Sequence, residues 1–350
     1  MSKIVFVLGA GASRHCGTPL MKNFLEVAQD LMRMGEVEEV REDFESVFDA
    51  VGNLHAIQSK ANINTYNIED VYAAFEMGKL LDSLPGVEES SKIDELISSI
   101  KKVIGYTLEK TTKLRNTEIR APEAYYEFAG IIETLIEAGK DCSVITFNYD
   151  LGLDFSLYAR RILPDYGLGD IDAAGKKCTP FLKLHGSLNW GKCSKCGKIT
   201  PYRDFTVTEP KSGLDYFIIP IISKLKTLKC KCGEPIEEDP FIVPPTWNKT
   251  AFHEQIEQVW KRAALELKDA EHIFVLGYSF PETDMFFHYL FALGVDMRTI
   301  LKGFYVYNID LEVEKRFEDL LSSGIKERFE FQSYDFDGAI RYMPITLGIG

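Results

Sequence analysis

His185, Asn148 and Asp150 are side chains able to accept a proton, orient a water and steady a positive charge, and each follows a short apolar run. His185 opens His185-Gly186-Ser187 after Phe181-Leu182-Lys183-Leu184. Asn148 and Asp150 stand in Thr146-Phe147-Asn148-Tyr149-Asp150, after Ser143-Val144-Ile145. An imidazole suits proton transfer near neutrality. An amide is donor and acceptor at once, so Asn148 can hold a ribose hydroxyl and a water. A third cluster, Gly9-Ala10-Gly11-Ala12-Ser13, follows Ile4-Val5-Phe6-Val7-Leu8. Glycines after a strand let the backbone turn sharply and approach a phosphate, with helix N-terminal amides facing the anion. Gly9, Ala10, Gly11 and Ser13 are therefore candidate phosphate contacts and Arg14 a candidate counter-charge. The full dinucleotide G-x-G-x-x-G is not present, since position 14 is Arg. Each cluster alone fits an ordinary turn, a cap or a satisfied core histidine. Together they occupy the ends of buried strands, where open α/β sheets bind ligands, and that points to a nucleotide site.

Two more strand ends carry polar residues. Gly277-Tyr278-Ser279 follows the apolar run ending at Leu276, and Asn308 follows the run ending at Tyr307. Gly277, Ser279 and Asn308 are candidates for adenosine and phosphate contacts. A different chemistry is written in Cys193-x-x-Cys196 and Cys230-x-Cys232, two thiolate pairs able to make a tetrahedral zinc site. Gly197 and Gly233 each follow a pair, as a knuckle turn requires. Four protein ligands leave no open position, so the expected zinc is structural.

The elements that must position these residues alternate between strand and helix. Residues 3–8 are apolar at nearly every position, as in a strand covered on both faces. Strands are further expected before Asn148, over Phe181–Leu184, Phe241–Val243, His272–Leu276 and Phe304–Tyr307. Lys22 to Met34, Ile68 to Leu84, Ile93 to Leu114 and Pro122 to Ala138 carry apolar residues at helical spacing, as does Phe252 to Leu267. Pro281 to Leu293 is compatible with a helix begun at Phe280-Pro281-Glu282-Thr283-Asp284. The expected fold is α/β: a Rossmann-like, doubly wound parallel sheet in a single domain over 1–350, with a helical insertion over 20–140 and a small zinc-ribbon-like module over 191–238.

The chain has 350 residues, with 40 Lys and Arg against 53 Asp and Glu, a net charge of −13. Such a balance gives no global attraction for phosphate backbones, so direct nucleic-acid binding is not expected; Lys224 to Lys231, the most basic stretch, lies beside the cysteines. No apolar run approaches the roughly 20 residues needed to span a bilayer. A strand begins within a few residues of the first, which leaves no room for a signal peptide. Seven cysteines, an odd number, suit a reducing cytoplasm better than a disulfide framework.

The order Gly-Ala-Gly-Ala-Ser, Thr-x-Asn-x-Asp, His-Gly, two cysteine pairs, Gly-x-Ser and a late Asn resembles the sirtuin superfamily over nearly the whole chain, with a helical stretch longer than is usual there. The resemblance implies NAD in a cleft of a Rossmann-like fold. It implies that Gly9, Ala10, Gly11 and Ser13 cradle the pyrophosphate, that Asn148 and Asp150 hold the nicotinamide ribose and attacking water, and that His185 is the general base. Gly277, Ser279 and Asn308 would bind the adenosine half. Two departures separate the chain from the deacetylase pattern. Gly17-Thr18-Pro19-Leu20-Met21-Lys22 stands where deacetylases carry Gly-Ile-Pro-Asp-Phe-Arg, and Phe241-Ile242-Val243-Pro244-Pro245-Thr246 lacks the Phe-Gly-Glu that clamps an acetyl-lysine peptide. The chain is more similar to the bacterial and archaeal sirtuin-like NAD hydrolases of anti-phage defence, and Asn67-Ile68-Glu69-Asp70 looks like their helical segment. By that resemblance it would hydrolyse NAD to nicotinamide and ADP-ribose. Unregulated NAD hydrolysis would harm the host cell, so control by a partner protein or by homo-oligomerisation is expected. An NAD-dependent deacylase or ADP-ribosyltransferase, and a non-catalytic NAD or ADP-ribose sensor, are the alternatives.

Overall fold

Strand register sets which polar clusters can meet. In the computed structural model, residues 3–56, 63–115, 122–169, 171, 173–209, 216–243, 250–281, 285–294 and 300–349 are described. A seven-stranded sheet comprises β1 (Lys3–Leu8), β2 (Asp141–Thr146), β3 (Ile162–Asp165), β4 (Lys177–Lys183), β5 (His272–Leu276), β6 (Gly303–Tyr307) and β7 (Phe329–Gln332). Across the sheet they run β7-β6-β5-β1-β2-β4-β3, every neighbouring pair parallel. The chain winds one way from β1 to β2 and resumes on the other side at β5, so the topological switch point lies between β1 and β5. This is a Rossmann-like, doubly wound arrangement.

Leu8 pairs with both Thr146 and Leu276, Thr146 with Lys183, and Leu276 with Tyr307. Gly9, Phe147, Leu184, Gly277 and Asn308 therefore leave the sheet in one row at its carboxyl edge. Asn148 and His185 follow one position later. Val5, Phe6 and Val7 have no exposed surface, as a central strand with helices on both sides demands. The helix Glu123–Glu137 covers one face through Phe128, whose ring meets Phe6 edge-on at 5.1 Å. The helix Thr250–Lys268 buries Ile256, Val259, Ala263 and Leu267 along one stripe. Its Trp260 indole donates to the Leu184 carbonyl at 3.1 Å.

By its internal contacts the chain divides into two units, and the sheet unit is Met1–Cys16, Leu114–Gly186 and Phe252–Gly350. The second unit joins Gly17–Lys113 to Ser187–Ala251. It holds the helices Phe24–Arg33, Arg41–Ala56, Ile68–Leu80, Ser90–Thr111 and Ile221–Leu225, and a hairpin of Trp190–Lys192 with Ile199–Pro201. Asn67 caps Ile68–Leu80 by accepting the Glu69 N–H at 2.9 Å.

Several expectations need amendment. Glu123–Glu137, expected inside the helical insertion, belongs to the sheet unit because its apolar face packs on β2. Phe241–Val243 is no sheet strand. It lies in the second unit, where Phe241 donates to the Trp190 carbonyl and accepts from Ser187 N–H. The helix Arg41–Ala56 and the strands β3 and β7 went unpredicted. The helix after Phe280 is described from Met285; Glu282, Thr283 and Asp284 lie outside the described residues, as do Pro244, Pro245 and Thr246. No helix among the described residues is long and apolar enough to cross a membrane.

Candidate functional site

Two backbone turns jam together at the switch point. Gly9 N–H donates to the Leu276 carbonyl and Gly11 N–H to that of Gly277, at 3.1 and 2.9 Å. A Cβ on Gly9 would stand 2.5 Å from the Tyr278 Cα, and one on Gly11 2.7 Å from the Gly277 oxygen. Gly277 has φ +60°, and a Cβ there would lie 2.4 Å from Ala12 N. These glycines are required for backbone approach within the protein itself. Ala12 N–H returns to the Gly9 carbonyl. The amides of Gly9, Gly11 and Ala12 are thus engaged internally.

From this turn the short helix Ala10–Ser13 delivers Ser13 into a buried polar cluster. Ser13 Oγ donates to Asp150 Oδ2 at 2.6 Å and accepts from Asn148 Nδ2 at 2.9 Å. Asn148 Nδ2 also donates to the Gly9 carbonyl at 2.8 Å, which fixes the amide's orientation because a carbonyl can only accept. The structure brings Gly9, Ser13, Asn148 and Asp150 together. Asp150 accepts the Gly152 N–H through Oδ1 at 2.9 Å and so starts the helix Gly152–Ala159. The Asn148 carbonyl oxygen accepts no hydrogen bond from the described residues, and the residue is half-buried.

Tyr125, from the helix Glu123–Glu137, closes the cluster from beneath. Its hydroxyl lies 2.7 Å from Ser13 Oγ and 3.5 Å from Asn148 Nδ2. Burial and then the Asp150 charge push its phenol well above the ordinary value. Against Tyr125 pack His15, at 4.8 Å between ring centroids, and Phe336. Burial lowers the His15 imidazole against the opposing pull of Asp337 and Asp150. The Cys16 thiol, 3.4 Å from His15 Nε2, is raised by burial and by Asp150.

His185 is buried and meets the rings of Phe147 at 5.2 Å and Tyr149 at 6.0 Å. Phe147 stacks on Tyr278 at 4.3 Å, and Phe287 stands edge-on to both. The imidazole thus adjoins an apolar, aromatic shell. Its neighbour two positions back, Lys183, is fully buried with Nζ 2.9 Å from Asp154 Oδ2 and 2.7 Å from the Asp150 carbonyl. Asp154 Oδ1 accepts from the Tyr166 hydroxyl at 2.6 Å. Lys183 thereby ties the loop that carries Asn148 and Asp150 to β4.

The remaining candidates are more scattered. Asn308 donates to the Tyr278 carbonyl at 3.2 Å and accepts the Asp310 N–H at 3.0 Å. It braces the Gly277 loop. Ser279 is exposed and its carbonyl accepts from Arg316 at 3.0 Å. Arg14 is exposed and Ala10 half-buried. Tyr125, Lys183 and Asp154 escaped the sequence reading. Lys183 left one signal, a charge inside an otherwise apolar strand. Tyr125 left none, being one aromatic on an ordinary core stripe.

In the second unit the Cys193, Cys196, Cys230 and Cys232 sulfurs all lie within 4.8 Å of one another. The Cys193–Cys232 and Cys196–Cys230 separations are 3.6 Å, and Cys196–Cys232 is 3.7 Å. A tetrahedral zinc with sulfurs at about 2.3 Å sets its ligands about 3.8 Å apart. The residues therefore fit zinc. Gly197 and Gly233, at φ +68° and +90°, turn the two knuckles. Their N–H groups return to the carbonyls of Cys193 and Cys230. Backbone N–H groups of Cys196 and Lys195 bring the Cys193 thiol down to about 7.

No protein-family model matches the chain, and no curated protein matches it. Among solved structures it is similar to a Sir2 homologue in complex with NAD, at 16% identity and a TM-score of 0.45, over 99% of this chain and 90% of that one. A variant Sir2 homologue with ADP ribose aligns at 17% identity and a TM-score of 0.46, over 99% and 94%. A Sir2 bound to a p53 peptide and NAD+ aligns at 15% identity and a TM-score of 0.38, over 99% and 94%.

Proposed function

We propose that this chain is an NAD hydrolase that cleaves the nicotinamide N-glycosidic bond with water, releasing nicotinamide and ADP-ribose. The observation that carries the reading is the Ser13–Asn148–Asp150 cluster. Residues 137 positions apart hydrogen-bond at the carboxyl edge of a doubly wound sheet, beside its switch point. The motif order that resembles sirtuins supports NAD as the ligand.

Bond cleavage leaves positive charge on the ribose, so the site must orient the reactants, exclude stray water and shield the cation. Asn148 presents its open carbonyl oxygen to a ribose hydroxyl or to the attacking water. His185 accepts the proton that water or a ribose hydroxyl loses. Asp150 holds Ser13 and adds negative charge that favours the cation. Ala10, whose N–H has no backbone partner among the described residues, contributes the turn's amide to phosphate, with Ser13 and Arg14 beside it. Gly277, Ser279 and Asn308 shape the adenosine side. Zinc at Cys193, Cys196, Cys230 and Cys232 stabilises the second unit and takes no part in the chemistry.

The departures at positions 17–22 and 241–246 favour hydrolysis over peptide deacylation. Unregulated loss of NAD harms a cell, so the activity is held by a partner protein or by homo-oligomerisation, and NAD depletion on infection is its role in anti-phage defence, in the cytoplasm. The test is to incubate the purified protein with NAD and follow nicotinamide and ADP-ribose by chromatography. Peptide-independent release that vanishes in Asn148→Ala is expected. Release that requires an acylated peptide would replace the reading with a deacylase, and binding without release under every partner condition would make the chain a sensor.

A further inference from the structure

The Ser13 hydroxyl has one proton and two lone pairs. Its proton goes to Asp150 Oδ2 at 2.6 Å, and one lone pair takes the Asn148 Nδ2 hydrogen at 2.9 Å. A third polar atom lies at 2.7 Å, the Tyr125 hydroxyl. Ser13 has no second proton, so Tyr125 must be the donor in that contact. The chain of bonds then has one direction: Tyr125 O–H to Ser13, Ser13 O–H to Asp150. The Tyr125 oxygen at the same time faces Asn148 Nδ2 at 3.5 Å. With both lone pairs filled and its proton on Asp150, the Ser13 hydroxyl is held in one rotamer, and the Asn148 amide cannot flip without losing its donations to Ser13 and the Gly9 carbonyl together.

We propose that Tyr125 is a positioning residue: it locks the Ser13 hydroxyl, and through it holds the Asn148 amide with its carbonyl oxygen open toward the ligand. The inference rests on the NAD-hydrolase reading and adds to it a residue outside all the strand-end motifs. Tyr125 is buried and acts through Ser13. It acts from the helix Glu123–Glu137, where the rings of His15 at 4.8 Å and Phe336 at 5.1 Å fix its own ring. Burial and the Asp150 charge keep its phenol protonated, as a donor must be.

The test is a double-mutant cycle on the full chain, with Tyr125→Phe, Ser13→Ala and the pair, and with melting temperature recorded for each. Tyr125→Phe is expected to lower kcat for NAD cleavage about tenfold while KM moves less than about twofold. In the Ser13→Ala background the same change is expected to have no further effect. Replacing Tyr125 with 3-fluorotyrosine keeps the donor and is expected to keep kcat within about twofold of wild type. Full kcat in Tyr125→Phe, additive losses in the pair, or an equal loss with 3-fluorotyrosine would each show packing alone and overturn the proposal. If wild type binds NAD without turnover under every partner condition, the chain is a sensor, and this inference falls with the hydrolase reading. If wild type neither binds nor cleaves NAD, the hydrolase reading fails and this inference with it, and that is seen before any variant is made.

Discussion

Lys183 Nζ sits 2.9 Å from Asp154 Oδ2 with both side chains sealed from solvent. Removing one member of such a pair strands the other charge in the interior, at a cost of about 3–5 kcal/mol, whereas replacing both with apolar residues restores much of it. Lys183→Met is therefore expected to lose about that much stability in chemical denaturation. Lys183→Met combined with Asp154→Leu is expected to recover most of it. The single variant should also lose NAD turnover, because Lys183 holds the carbonyl of Asp150.

Asn148→Ala and His185→Ala are each expected to lower NAD turnover on the order of a hundredfold or more. His185→Ala with unchanged turnover would remove the histidine from the mechanism. Asn148→Ala also gives up the hydrogen bonds to the Gly9 carbonyl and Ser13, about 1–3 kcal/mol, so turnover of both variants is to be compared per folded molecule after melting temperatures are recorded.

Gly277→Ala tests the backbone jam at the switch point. The added Cβ meets Ala12 N at 2.4 Å in a backbone at φ +60°. Strain of this kind costs about 1–3 kcal/mol. We expect that loss in denaturation and a matching fall in affinity for NAD. Gly324→Ala, with nothing within 4 Å of its Cβ, is the control.

The four-cysteine cluster predicts about one zinc per chain by elemental analysis. Stripping the metal with a chelator should lower the melting temperature and open the second unit to protease, because binding free energy at such a site is folding free energy. Cys196→Ser should do the same to a smaller degree. NAD turnover per folded molecule should survive.

Glu109 gives a pH dependence. Burial pushes its carboxyl up to about 7 from 4.5, despite the Ile222 N–H it accepts at 2.8 Å. The folded protein favours the neutral acid, so the stabilisation is full below about pH 4.5 and is lost as pH rises through about 7. Glu109→Gln keeps an acceptor for Ile222 and never ionises. It should be more stable than wild type at pH 8 and no different near pH 4, which denaturation at the two pH values decides.

The parallel sheet was legible because Ile4 to Leu8 and His272 to Leu276 are apolar runs ended by glycine, the pattern of a strand buried on both faces. The cysteine pairs were legible because spacing alone nearly specifies a tetrahedral site. β3, Ile162–Asp165, was not, since Pro164 and Asp165 argue against a strand and only an edge position tolerates them. Phe241–Val243 carried a strand's composition but found its partners in Trp190 and Ser187 outside the sheet. Within the site, Ser13, Asn148 and Asp150 announced themselves by type. Tyr125 did not, because a phenol's partner is decided by tertiary packing and leaves no periodic trace.

The closure of Gly9 and Gly11 on Leu276 and Gly277 has a consequence for the order of synthesis. A chain still emerging from the ribosome carries its glycine turn early, with nothing to close against. Ser13 can find Asn148 and Asp150 once those residues are made, but the turn that aims Ser13 is held by carbonyls made some 270 residues after it, about a minute later at the slower rates of elongation. Until the second β-half has been delivered the turn has no carbonyls to close against, and a product truncated before β5 never gains them. The geometry of one glycine turn thus ties the aim of Ser13 to the arrival of β5.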